Sequence, residues 1–223
     1  MRRIFRILRR YLGKLSRHSR ASFSECGEDI ILESILNMCQ ISEYTYIDVG
    51  SNHPVRSNDF YRSYLNGNHG ISIDPLPELN ALYKSRKKDL FLNVACVIDK
   101  SHDYMLLRSP EHRLSSVVKT DSEHFTRLSL PSISPKDLIQ IIDSNLPLVV
   151  KIDIEGGDID LALEFFRTST SIILLIIETF EGLVGSCPTL DNFENEIQNK
   201  YIKCAMTPHN NFYIQKEKWP FPT

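Results

Sequence analysis

Apolar residues in this chain fall in short runs that are separated by longer mixed segments. A strand of a parallel sheet is buried on both faces, so such runs predict strands. The predicted strands are Thr45–Val49, Gly70–Asp74, Leu90–Val97, Asp103–Arg108, Leu148–Asp153, Ile172–Glu178, Tyr201–Met206 and Phe212–Gln215. Helical spacing and caps predict helices at Ile30–Gln40, Val55–Leu65, Glu78–Lys88, Ile159–Phe166 and Leu190–Lys200, and one opened by Ser134 and Pro135. This alternation predicts an α/β fold with a parallel sheet that ends in a hairpin with one antiparallel strand.

The first predicted strand ends in the sequence Asp48-Val49-Gly50, followed by a polar turn. Ligands of open α/β sheets bind beyond the carboxyl ends of the strands, and glycine lets a backbone turn sharply and be approached closely. We therefore expect the turn after Gly50 to cradle a ligand. Within that turn, we expect His53 to shape the loop.

Acidic residues end four of the predicted strands. They are Asp48, Asp74, Asp153 and Glu178. Asp74 lies 24 residues beyond Gly50, close to the spacing of the carboxylate that binds ribose in nucleoside-binding α/β units. Glu155 has strand spacing from Asp153, which places both on one side of the strand end. The resulting acidic rim could hold a cationic or polyhydroxylated ligand or a metal ion, or each acid could cap the next helix.

Composition is that of an ordinary globular protein, with 42% apolar and 24% charged residues. Its 223 residues suffice for one domain with a substantial core, and we expect the domain to span residues 21–223. The five cysteines are scattered and never spaced as Cys-x-x-Cys, which indicates a reducing compartment, such as the cytoplasm, rather than a disulfide framework or a zinc site.

Charge is distributed unevenly along the chain. Residues 1–20 carry eight of the 26 Arg and Lys residues and no acid, which leaves 18 basic against 28 acidic residues in the remainder. On a helical wheel the apolar residues of this arm lie opposite its arginines, as in a helix at a membrane interface. The alternative is that the apolar stripe packs on the protein itself or on a second subunit. Nucleic acid is disfavoured because the acidic domain would repel phosphates.

Between the third strand and the helix at Ser134, the alternation breaks. Residues 111–131 are polar and include His112 and His124. Such an insertion is typical of a lid over a substrate, and equally of a plain surface connection.

A set of motifs occurs in a definite order from Ser22 to Ile214. They are Ser24-Glu25-Cys26-Gly27-Glu28-Asp29-Ile30, Tyr46-Ile47-Asp48-Val49-Gly50-Ser51-Asn52-His53-Pro54, Ser57-Asn58, Gly70-Ile71-Ser72-Ile73-Asp74-Pro75, Asn93-Val94-Ala95 and Lys151-Ile152-Asp153-Ile154-Glu155-Gly156. As a set they resemble the FkbM-type S-adenosylmethionine-dependent methyltransferases. The chain departs from this family at two points. Its glycine-rich turn is reduced to Gly50 alone, and Glu25 stands where the family often has glutamine.

This resemblance implies a Rossmann-like class I methyltransferase fold with a mostly parallel seven-stranded sheet, and methyl transfer to a hydroxyl of a sugar, glycan or related metabolite. Asp48, Gly50 and Asn52 would line the methionine end of the cofactor, Asp74 the ribose, and Asn93 and Ala95 the adenine. The full set of matched cofactor positions is Glu28, Asp48, Gly50, Asn52, Pro54, Ser57, Asn58, Asp74, Pro75, Asn93 and Ala95. Candidates for the base that accepts the hydroxyl proton are Asp153, Glu155, Glu178 and His209.

Two other functions compete with this interpretation. A nicotinamide oxidoreductase on a similar fold lacks support because no Gly-x-Gly-x-x-Gly turn is present for a pyrophosphate. A non-catalytic protein could keep the fold and act as a membrane-tethered binding or scaffold module. Loss of cofactor binding would favour it. If the arm binds lipid, we expect the enzyme to be peripheral on the cytoplasmic membrane face.

Overall fold

The structure is a computed structural model that describes residues 20–100, 104–107, 116–119, 131–142, 145–154, 156–179 and 188–222. The arm predicted at residues 1–20, apart from Arg20, lies outside the described residues. So do Glu155, Cys187 and the greater part of the insertion predicted at 111–131.

The described chain forms six α-helices and eleven strands. The helices are α1 (Glu28–Met38), α2 (Tyr61–Leu65), α3 (Leu79–Tyr83), α4 (Pro135–Ile141), α5 (Asp158–Thr168) and α6 (Pro188–Ile197). The strands are β1 (Thr45–Val49), β2 (His69–Ile73), β3 (Leu90–Leu92), β4 (Ala95–Cys96), β5 (Tyr104–Leu107), β6 (Ser116–Lys119), β7 (Ser132–Ile133), β8 (Leu148–Ile152), β9 (Ile172–Glu178), β10 (Tyr201–Met206) and β11 (Asn210–Gln215).

Seven of these strands form one sheet in the order β10-β11-β9-β8-β1-β2-β3. Pairings among β9, β8, β1, β2 and β3 are parallel, whereas β11 is antiparallel to both β9 and β10. The mostly parallel seven-stranded Rossmann-like sheet ending in an antiparallel hairpin is confirmed. Strand order reverses between β1 and β8, and ligands of open α/β sheets bind at such a switch point.

Both faces of the sheet are covered by apolar packing. On β1, Ile47 and Val49 face one core, which includes Phe165 of α5 and Phe193 of α6. Tyr46 faces the other core, which includes residues of α1. All residues of β1 and β8 are buried, as a two-sided sheet requires.

Four local expectations were wrong. The third predicted strand divides, since β3 ends at Leu92 and β4 leaves the main sheet to pair with β7. The predicted helix at Val55–Leu65 is only α2, because Ser57 has a φ of +51° that a helix does not tolerate. The predicted helix at Glu78–Lys88 is only α3. The spacing of Ser22 and Glu25 predicts a capping box at the start of the first helix, but none forms, because α1 begins at Glu28 after Gly27.

The start of α4 confirms its predicted cap. Ser134 accepts a hydrogen bond from the Asp137 backbone, and the Asp137 side chain accepts one from Ser134 in return. No helix among the described residues is both long enough and apolar enough to cross a membrane.

Candidate functional site

At the switch point, the turn after β1 touches the end of β8. Gly50 has a φ of +77°, and a Cβ atom added to it would lie 1.6 Å from the carbonyl oxygen of Asp153. Backbone N–H groups of Gly50 and Asp153 donate to Ile73 O (2.9 Å) and Val49 O (3.0 Å). Glycine is therefore required here because two strand ends approach each other closely, whether or not a ligand also approaches this backbone.

Asp74 closes the same turn from β2. Its two carboxylate oxygens accept hydrogen bonds from the backbone N–H groups of Asn52 and Leu76, both at 2.9 Å. Asn93 donates its side-chain amide to the Asp74 carbonyl at 2.8 Å. Burial raises the pKa of Asp74 to about 6, against the opposing effect of the two N–H donors. Asp74 thus joins the ends of β1, β2 and β3.

Beneath the turn lies a buried ion cluster centred on Lys151 of β8. Its ammonium is 2.8 Å from a carboxylate oxygen of Asp153 and 3.6 Å from one of Asp59. The charges of Asp153, Asp59 and Asp48 hold the pKa of Lys151 well above its usual value despite burial. Burial raises the pKa of Asp48, and it raises that of Asp59 to about 7.

Asp153 links this cluster to the surface, since its side chain is 29% exposed. Burial opposes its ionisation, but the Lys151 ammonium, a hydrogen bond from Glu178 and the nearby His209 outweigh it and lower the pKa of Asp153. His209 lies in the β10–β11 turn, where its carbonyl accepts a hydrogen bond from Thr179 N at 2.8 Å. Asp153, Glu178 and His209 are thus brought together at the carboxyl edge.

The segment between Ser51 and Asn58 is folded by side-chain hydrogen bonds. Asn58 donates to Ser51 O at 3.1 Å and approaches Asp48 at 3.4 Å. The ring Nδ1 of His53 accepts from the backbone N–H groups of Val55 and Arg56, at 3.1 and 3.0 Å, so His53 shapes this loop as expected.

The acidic rim predicted from sequence is smaller than expected. Asp48 is 1% exposed and Asp74 5%, so both lie inside the site rather than on its edge. Asp153 and Glu178 remain at the rim, and Glu155 lies outside the described residues.

The other predicted cofactor positions vary in their exposure. Asn52 and Ser57 are exposed, Pro75 and Asn93 are half-buried, and Pro54 and Ala95 are buried. Glu28 is also buried, and it accepts a hydrogen bond from Cys26 N at 2.8 Å.

Negative charge exceeds positive charge around the turn. Among the described residues, the buried cations near the turn are Lys151 and Arg86, whose guanidinium donates to Pro54 O. The nearby acids are Glu28, Asp48, Asp59 and Asp74, which are buried, and Asp153, which is partly exposed. Asp48 Oδ1 and Glu28 Oε1 accept no hydrogen bond within the described structure. They are closed to solvent, so in this conformation they would act on a ligand through their charge. The arrangement fits a ligand that carries positive charge and several hydrogen-bond donors, as S-adenosylmethionine does with its sulfonium, ammonium and ribose hydroxyls.

Sequence reasoning gave no role to three residues of this region. Lys151 had a usable signal, because a lysine within a buried apolar strand requires partners. Asp59 and Arg86 had no usable signal, since both lie in polar segments whose composition is typical of an exposed surface. No three His, Cys, Asp or Glu side chains are placed to hold a metal ion in the described part of the chain.

Neither a protein-family model nor a curated protein matches this sequence. Solved structures that resemble it include a chain of a fibrillarin/Nop5p complex (TM-score 0.40, 7% identity, 78% of this chain and 71% of that chain). A second is a candidate O-methyltransferase from Klebsiella pneumoniae (TM-score 0.44, 7% identity, 95% and 89%). A third is a DUF574 family protein from Streptomyces avermitilis (TM-score 0.37, 7% identity, 84% and 80%). At these values the likeness assigns neither a family nor an activity to this chain.

Proposed function

We propose that this protein is an S-adenosylmethionine-dependent methyltransferase that methylates a hydroxyl of a sugar, glycan or related metabolite. The observation that supports this most strongly is the junction of Gly50, Asp74 and Asp153 at the point where strand order reverses. The sequence resemblance to FkbM-type methyltransferases covers the same residues.

The cofactor would lie across the carboxyl ends of β1 and β2. In this proposal Asp74 accepts from the ribose hydroxyls with the lone pairs that its two backbone donors leave free. Gly50 and Asn52 line the methionine end, and Asn93 lies beside the adenine. The buried acids Asp48 and Glu28 favour the positive charge of the ligand. When bound, S-adenosylmethionine supplies a methyl group that its sulfonium has already activated.

The acceptor hydroxyl would be held at the rim formed by Asp153, Glu178 and His209. Carboxylate oxygens accept hydrogen bonds from hydroxyls, which suits a polyhydroxylated acceptor. Asp153 stays ionised because of Lys151, so it is a weak base but a good partner for a protonated imidazole. We therefore assign His209 the proton that leaves the hydroxyl, with Asp153 orienting the ring and Glu178 supporting Asp153.

Calorimetric titration with S-adenosylmethionine tests the proposal. Wild-type protein should bind with a Kd in the micromolar range. Asp74→Asn should weaken binding by about tenfold or more, because an acceptor of the ribose hydroxyls is lost. Asp137→Asn, which removes a backbone-bonded carboxylate from the α4 cap, is the matched control and should bind as wild type does. Absence of binding would favour the membrane-tethered scaffold instead.

The basic arm at residues 1–20 adds a location to this proposal. We place the enzyme at an anionic membrane surface, where its acceptor would be a lipid-linked or envelope glycan. The support is the charge contrast between the arm and the acidic remainder. Flotation with anionic vesicles should recover the full chain but not a variant with Arg2, Arg3, Arg6, Arg9 and Arg10 changed to serine. Equal recovery of both proteins would refute the location.

A further inference from the structure

Arg86 is the largest fully buried side chain among the described residues, with 1% exposure. It follows α3, and its guanidinium contacts the turn after β1. A buried guanidinium is costly unless its charge and its N–H groups are matched. Its partners therefore indicate what the residue holds in place.

Charge compensation comes from Asp89, whose carboxylate oxygen lies 2.6 Å from Arg86 Nη2. The guanidinium also lies over three tyrosine rings, at 5.1 Å from Tyr64, 5.7 Å from Tyr83 and 5.8 Å from Tyr46. These rings exclude water and add cation–π attraction. The arginine is thus fixed in one orientation inside the protein.

The other edge of the guanidinium faces the turn after β1. Arg86 Nη1 donates to Asn58 Oδ1 at 2.9 Å and to Pro54 O at 3.2 Å. Asn58 in turn donates to Ser51 O, which also accepts from the Tyr83 hydroxyl at 3.3 Å. Arg86 therefore reaches both ends of the segment 51–58 through at most one intervening side chain.

We propose that Arg86 is a positioning residue that sets the conformation of the cofactor turn at residues 51–58. This inference rests on the proposed function for the identity of the ligand, but the holding of the turn itself does not depend on it. Arginine suits the role because a planar guanidinium can bond Asp89 along one edge and the turn along the other. Lysine has one small charged group and cannot bridge both.

Amide hydrogen exchange of the ligand-free protein tests the holding of the turn directly. The probes are the backbone amides of Asn52, Val55, Arg56 and Asn58, which are hydrogen-bonded in the intact turn. In Arg86→Lys these amides should exchange about tenfold faster or more, while those of β9 and β11 keep wild-type rates. Calorimetry should show a matching rise in the Kd for S-adenosylmethionine.

Arg167→Lys is the control. Arg167 of α5 pairs with Glu196 of α6 at 2.8 Å, and its replacement should leave both readouts unchanged. Asn58→Ala removes the link between Arg86 and Ser51 without touching the ion pair, so it decides the matter if Arg86→Lys fails to fold. Wild-type exchange at residues 52–58 in a folded Arg86→Lys or Asn58→Ala variant would overturn the inference. If wild-type protein binds no S-adenosylmethionine, the proposed function fails while the exchange measurement still decides the role of Arg86.

Discussion

The carbonyl oxygen of Asp153 occupies the space where a side chain on Gly50 would begin, 1.6 Å from the position of its Cβ. The contact joins β1 to β8, the two strands at which the order of the sheet reverses. It brings the acid at the end of β8 against the turn that Asp74 holds from the other side. One glycine therefore determines how closely the two halves of the site approach.

Gly50→Ala should be strongly destabilising. Alanine must adopt a φ of +77° and displace a backbone carbonyl, so we expect a loss of about 2–5 kcal/mol in the free energy of unfolding. Gly67→Ala is the control. Gly67 has a φ of +99° but open space around it, so the change should cost about 1–2 kcal/mol from strain alone. Urea denaturation measures both. Equal losses would contradict the close contact.

Lys151→Met should destabilise the protein, because Asp48, Asp59 and Asp153 then repel one another without a cation between them. Removing one partner of a buried ion cluster costs about 3–5 kcal/mol, since the remaining charges stay buried. Because the acids can then be protonated, the loss should shrink as pH falls from 7 to 5. Lys100→Met breaks the exposed pair with Asp137 and should lower the free energy of unfolding far less than Lys151→Met does. A loss of the same small size at Lys151 would mean that water reaches this cluster.

Asp59 should make the protein less stable as pH rises toward 7. Burial raises the pKa of Asp59 to about 7, above its unfolded value, so the folded state binds the proton more tightly. The contribution of this tighter proton binding to the free energy of unfolding is complete below about pH 4 and is lost as pH rises through 7. The free energy then falls with a slope approaching about 1.4 kcal/mol per pH unit. The groups that surround Asp59 are Lys151, Glu28, Asp48 and Asp153. Asp74, with its raised pKa, adds a slope of the same sign. Denaturant titrations between pH 4 and 8 should therefore show a shallower decline in Asp59→Asn than in wild type.

His209 and Asp153 should act as one unit in methyl transfer. We expect His209→Gln and Asp153→Asn each to lower kcat by about 10²–10⁴, the usual contribution of a positioned base. The Kd for S-adenosylmethionine should change little in His209→Gln. The double variant should lose no more than the worse single variant, as members of one unit do. If the fold-loss of kcat in the double variant equalled the product of the two single-variant losses, the two residues would act separately.

Regular elements of the fold could be predicted from the sequence because their signals are local. Uninterrupted apolar runs such as Ile172–Ile177 predict strands buried on both faces, and the structure confirms this one. Ser134 with Pro135 predicts a helix start for the same reason. In the segment 51–58 the local signal was misleading, because it predicted a helix from Val55. Its shape depends on Asn58 and on Arg86, which lies 28 residues further along the chain.

The sequence also could not predict how deeply each acidic side chain of the site is buried. Asp48 and Asp153 both end apolar runs, yet Asp48 is sealed under the turn while Asp153 reaches the surface. The difference arises from a shift of two positions in register. Asp48 lies inside β1 opposite Lys151, whereas Asp153 lies one residue past the end of β8. A sequence shows that an acidic residue lies near the end of a strand. It does not show whether that residue comes before or after the last residue that pairs with the neighbouring strand.

Binding of S-adenosylmethionine at the Gly50 turn is tested most directly by nuclear magnetic resonance. The protein is labelled with ¹⁵N at its nine glycines, and their amide signals are assigned. On titration with S-adenosylmethionine, the Gly50 signal should move with saturation. The signal of Gly67, which precedes β2 at the opposite edge of the sheet, should stay in place. Saturable binding that leaves Gly50 unmoved, or no binding at all, would contradict the account.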